Sequence, residues 1–175
     1  MEVESAHRET SSAEWARLRA LIDVLGEPDP STPSVASPLA PMDPIDVCRR
    51  VVDRHRLARE EYRWTFRSSS PSALGWWDAE SLDLALEVLL GEAADSSQVG
   101  SQIQTTLDSS PGWASIRIRD ERRTARVCSP NECHGPNWAL VRAVIAKHGG
   151  TVNAIHAPGC GQTVLVRLPL RQPDH

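Results

Sequence analysis

The spacing of apolar residues changes period several times along this chain. Between residues 12 and 25, Trp15, Leu18, Leu21, Ile22 and Leu25 recur every three or four positions, the stripe of an amphipathic helix. Ser12 is placed to cap that helix and Gly26 to stop it, which sets its span at 12–26. Residues 1–11 are polar, without period, and read as a disordered tail. Residues 27–43 are rich in Pro and Ser and read as a linker. A second helical stripe over 44–61 turns Val47, Val51, Val52 and Leu57 inward. Residues 62–67 alternate with the period of a strand, 68–72 form a loop, and Trp76 and Trp77 fall in a short strand or its exit.

The broadest helical face of the first half lies within 78–94, where Leu82, Leu84, Leu86, Leu89 and Leu90 cluster. Residues 102–107 and 113–119 are strands joined by a Ser-Ser-Pro-Gly turn, a hairpin signal. The stretch 119–135 is charged and irregular. A last helix follows, with Trp138, Val141, Val144 and Ile145 on one face and Asn137 at its N-cap. Gly149 and Gly150 supply the left-handed residue that ends such a helix. Val152, Ala154 and His156 then alternate, Pro158-Gly159-Cys160-Gly161 turns the chain, and residues 164–168 form the final strand before a tail at 171–175. This order predicts an α/β (α+β) two-layer sandwich: a mixed, mostly antiparallel sheet covered on one face by about three helices, plus the N-terminal helix.

Composition narrows the function classes. At 175 residues and 40% hydrophobic content, the chain can build one real core. A net charge of -4 gives no basic surplus, so nucleic acid is not an expected partner. Without a long apolar run no membrane helix is expected, and the start lacks the basic and apolar parts of a secretory signal, which points to the cytoplasm. Six Trp against one Tyr and one Phe stand out, with no chemistry attached to them. The four Cys form no compact framework and are expected as reduced thiols.

Several of these segments carry a resemblance. Arg142, His148-Gly149-Gly150, Pro158-Gly159, Gly161 and Leu168-Pro169 stand where the ATP-binding domain of sensor histidine kinases, in the GHKL ATPase superfamily, has its last helix, Pro-Gly-x-Gly turn and closing strand. Pro44 and Asp46 resemble the opening of that domain, and Trp77-Asp78-Ala79-Glu80-Ser81-Leu82 the entry to its second helix. The resemblance covers about residues 44–170 and implies a nucleotide cleft with magnesium.

Residue by residue, the resemblance departs at the chemistry. The family's two helix-borne Asn, the later of which binds magnesium, fall at Val88 and Glu92, and its basic residue at Asp95. Glu92 is a hard ligand suited to magnesium. Beside a triphosphate, however, the charges of Glu92 and Asp95 would cost on the order of a few kcal/mol. The adenine-binding Asp corresponds to Asp120, without the glycines that follow it in the family. Only fourteen residues separate Asp120 from Gly135, where the family has a mobile lid, and Gly135-Pro136-Asn137 replaces the phosphate-cradling Gly-x-Gly. Pro136 lacks an N–H to offer. After Gly159 and Gly161, Gln162 takes the place of the Thr that supports the adenine-binding Asp, with Thr163 next. His7-Arg8-Glu9 offers a His where the family's phosphoacceptor is a His followed by Glu or Asp, but it lies in the polar tail with only one helix after it.

These readings imply a catalytically impaired histidine-kinase-like domain acting in signalling or as a scaffold, with Trp15, Leu18, Leu21, Ile22 and Leu25 as the surface for a protein partner or self-association. The alternative is a divergent ATP-binding kinase, ATPase or nucleotide sensor using Asp120, Glu92, Gly135 and the turn Gly159, Gly161, Gln162 and Thr163, with ATP and magnesium as ligands. A third reading places a metal or redox site at Cys128, Cys133 and His134, completed by Cys160, His148 or His156.

Overall fold

The computed structural model describes residues 39–120, 137–157 and 161–170. They all belong to one compact unit, Ser37–His175. The helices are α1 (Pro44–Ala58), α2 (Ala79–Asp95) and α3 (Trp138–Lys147). The strands are β1 (Ala40–Met42), β2 (Arg63–Ser68), β3 (Gly75–Trp77), β4 (Gln102–Ser110), β5 (Trp113–Asp120), β6 (Thr151–Ala157) and β7 (Gly161–Pro169). Five strands form the main sheet in the order β2-β4-β5-β7-β6. Only β2 and β4 run parallel, because α2 makes the crossover between them. The other three ladders are antiparallel.

Alternation along the strands gives the sheet one buried face. Ile103 and Leu107, Ala114, Ile116 and Ile118, and Val164, Val166 and Leu168 are buried beneath the helices. Arg117, Arg119 and Arg167, one residue out of phase, are exposed. Helix α2 is buried around most of its circumference, from Leu82 through Ala94, as a central helix in the helical layer must be.

Each helix start has a physical cause. Asp43 caps α1, its carboxylate accepting from the Ile45 amide at 3.0 Å, with Pro44 at the first helical position where no N–H is required. The same carboxylate accepts from Ser72 Oγ and the Ala73 amide, fastening α1 to the loop before β3. Helix α1 ends at Ala58, earlier than its periodicity suggests, and Leu57 is exposed rather than inward. Cys48 is buried on the inner side of α1, where burial first and Asp43 second push its thiol up to about 12, so it packs as a small apolar group. Asn137 occupies the N-cap position of α3 but makes no side-chain cap bond. The segment read as linker ends in structure: Ala40–Met42 pairs antiparallel with Gly75–Trp77.

The His148-Gly149-Gly150 run is a structural joint. His148 is buried; its Nδ1–H donates to the Val144 carbonyl at 2.7 Å, and its Nε2 accepts from the Asp78 amide at 3.0 Å. Gly149 has φ 69°, a left-handed conformation that terminates α3. At Gly150 a Cβ would stand 2.4 Å from the Arg167 carbonyl oxygen, so only glycine lets the helix end touch β7.

Asp78 completes this joint. It caps α2 through the Glu80 and Ser81 amides and takes a hydrogen bond from Lys147 Nζ at 3.0 Å. Burial alone would raise its pKa, but the Ser81 and Lys147 donors outweigh it and hold the carboxyl below its ordinary value. Glu87 behaves likewise: burial raises it, while His55 and Arg54 bring it down on balance. Both folded pKa values are depressed, so this stability is present above the ordinary carboxyl range of about pH 4 and is lost as pH falls through the folded values. Thermal melts are expected to be flat from about pH 7 to 5 and to fall steeply below about pH 4. Asp78→Asn should flatten that acid limb; an unchanged slope would refute the assignment.

Candidate functional site

The inward positions of β5 run Ala114, Ile116, Ile118 and then Asp120, so the period that builds the core also delivers a carboxylate to its edge. Asp120 is 3% exposed. Its neighbour on β7 is set by the ladder, which pairs Arg119 with Thr163. One step further the Gln162 amide donates to Asp120 Oδ1 at 2.8 Å. Gly161, with φ 86°, brings the chain into β7 at this point.

Above these two residues lies the C-terminal half of α2. Leu89, Glu92 and Ala93 fall within about one turn and face the sheet end. Together with Ile118, Asp120, Gln162 and Val164 they line a small recess of about 10 Å³, open in part to solvent. Its walls are apolar at Leu89, Ala93, Ile118 and Val164 and polar at Glu92, Asp120 and Gln162. Buried Gln162 keeps one polar atom unsatisfied: its Oε1 has no hydrogen-bond partner among the described residues.

The structure thus brings together Asp120, Glu92 and Gln162 out of the sequence candidates. Thr163 does not join them: strand alternation sends it to the opposite face of β7 from Gln162. Gly161 sits at the strand's start without lining the recess. Val88 is core. Asp95 pairs with Arg59 at 2.6 Å and belongs to a set of ion pairs that also joins Arg50 to Asp83 and Arg54 to Glu87 across α1 and α2. Gly135, Pro136, Gly159, Cys128, Cys133, His134 and Cys160 lie outside the described residues, as do His7 and the Trp15–Leu25 stripe. His148 has both ring nitrogens engaged by the backbone, which removes it as a metal ligand. The described residues hold no cluster of three metal-binding side chains, and no helix among them is long and apolar enough to cross a membrane.

Four lining residues escaped the sequence reading as site residues because they carry no chemistry. Leu89 and Ala93 flank Glu92 one helical turn apart, and Ile118 and Val164 stand two residues from Asp120 and Gln162. That spacing was the available signal.

No protein-family model matches the sequence, and no curated protein does. Solved structures are similar. The mycobacterial sensor histidine kinase MprB superposes with a TM-score of 0.61 at 24% identity, covering 76% of this chain and 98% of that one. The ATP binding domain of PrrB from Mycobacterium tuberculosis gives 0.61 at 20% identity, covering 78% and 100%. The cytoplasmic segment of the histidine kinase QseC gives 0.65 at 15% identity, covering 91% and 95%. The chain therefore has the fold of the ATP-binding domains of sensor histidine kinases.

Proposed function

We propose that this chain is a histidine-kinase-like domain that holds the base of a nucleotide and is impaired in phosphoryl transfer, so that its output runs through protein contacts in signalling. The observation that carries the reading is the convergence of Asp120, Gln162 and Glu92 on one apolar-walled recess, from three elements far apart in sequence. A carboxylate offers about four acceptor sites, so the bond from the Gln162 amide leaves Asp120 capacity for a ligand amino group. Apolar walls at Leu89, Ala93, Ile118 and Val164 suit the faces of a purine.

The impairment rests on Glu92. The resemblance puts a neutral magnesium-binding Asn at this place. A carboxylate can ligate magnesium, but it also sets a negative charge close to the phosphates in a partly desolvated site.

Calorimetric titration of the full chain with ATP and ADP, with and without magnesium, tests the reading. Saturable binding in the micromolar range is expected for both, with little gain from magnesium and no label transferred from γ-labelled ATP to protein. Absence of binding at millimolar nucleotide would refute the nucleotide site, and magnesium-dependent label transfer would refute the impairment.

A further inference from the structure

The helices cover one face of the main sheet, and the strand registers show what stands on the other. One outward row crosses it as Arg67, Thr106, Arg117, Leu165 and Asn153, and the next as Thr65, Gln104, Arg119, Thr163 and Ile155. Arg167 lies diagonally beside Arg117, and Arg63 two residues before Thr65. All five arginines of this face are exposed. Among its described residues a single carboxylate answers them: Asp108, 3.6 Å from Arg117 and already accepting from Ser69 Oγ. The helical side differs, because there Arg50, Arg54 and Arg56 are matched by Asp83, Glu87 and Asp53. The chain as a whole is acidic, with a net charge of -4, so the excess of cations belongs to this face and not to the composition.

We propose that this open sheet face docks an acidic, extended polypeptide segment of a partner protein. Outward residues of a strand recur about every 6.8 Å, so carboxylates two residues apart on an extended segment match Arg117 and Arg119. A guanidinium takes a carboxylate through two parallel hydrogen bonds. Arg167 is already oriented for this, with its guanidinium over the Trp113 ring at 4.8 Å. Leu165 lies between the cations, and Ile155, 56% exposed, offers apolar contact to residues between the carboxylates. A second copy of this chain would set arginine against arginine, and the net negative charge opposes a nucleic acid. The proposal gives the protein-contact part of the reading above a surface. It is independent of the nucleotide recess, which faces the helices, so the nucleotide titration and the test below can fail separately.

The test titrates labelled poly-L-glutamate, and oligothymidylate of matched charge, with the full chain at low salt and follows anisotropy. Wild-type protein is expected to bind polyglutamate saturably and more tightly than oligothymidylate, with affinity falling as salt screens the pairs. The double variant Arg117→Glu/Arg119→Glu should bind about tenfold more weakly. Arg117→Gln/Arg119→Gln, which adds no repulsion, should lose about threefold and keeps the test readable if charge reversal disturbs the sheet. Arg49→Glu/Arg56→Glu on α1, with the same change in net charge, should bind as wild type does. Equal losses in the α1 and sheet variants would show a response to net charge alone and overturn the proposal. Absence of saturable polyglutamate binding, or tighter binding of oligothymidylate, would overturn it as well.

Discussion

Trp77→Ala is expected to remove about 4 kcal/mol of folding stability, the range for truncating a large buried aromatic. The indole is 1% exposed and fills the corner where the small β1–β3 sheet meets the main one. Its Nε1 donates to the Pro169 carbonyl at the end of β7, at 3.1 Å. Gly75 makes the room: a Cβ there would stand 2.5 Å from the indole. Truncation leaves a cavity and strips a carbonyl of its donor, and the two losses act on the same joint that Asp78, Lys147 and His148 hold from the helical side. Urea or thermal denaturation would read the effect, with Tm falling by about 10 °C or more. A loss below about 1 kcal/mol would mean that the corner collapses around the gap and that the indole is dispensable.

The tryptophans illustrate what the sequence can and cannot convey. Their number was conspicuous, but the work of those among the described residues is structural and tertiary. Trp64 bonds to the Arg59 carbonyl and lies against His55, Arg167 sits over Trp113, and Trp138 is buried at the start of α3. None of that follows from local pattern. Helices α1 and α3 and the main strands were legible because each exposes one face and buries the other, which writes a period into the chain, and α2 through the breadth of its apolar face. Strand β1 was not, because three residues containing a proline carry no period; it exists only through its pairing with β3. Leu57 is apolar and correctly phased, yet α1 ends beside it and leaves it in solvent.

The site was legible to the degree that it depends on strand parity and register. Asp120 and Gln162 lie 42 positions apart and meet because β5 and β7 pair in one particular register. A slip of one residue would have placed Thr163 inside and Gln162 outside. The ion pair of Asp95 was not legible for a different reason. Its partner Arg59 follows the end of α1, and only the packing of α1 on α2 reveals the pair.

Asp120→Asn is expected to weaken nucleotide binding about 100-fold while leaving the fold intact. The asparagine oxygen can keep the bond to the Gln162 amide, so the β5–β7 contact survives. What changes is the other atom, from a carboxylate oxygen that accepts to an amide nitrogen that donates. Against a ligand amino group this removes a charge-assisted hydrogen bond and replaces it with two donors face to face, a loss of about 1.5–3 kcal/mol from the bond alone. Glu92→Gln should move affinity for ATP the other way, because removing a negative charge near the phosphates relieves repulsion. Two carboxylates in one recess would then respond with opposite signs to the same chemical change, acid to amide. That outcome would place the base at Asp120 and the phosphates toward Glu92. Matching losses in both variants, or unaltered affinity in Asp120→Asn with an unchanged Tm, would rule out that orientation.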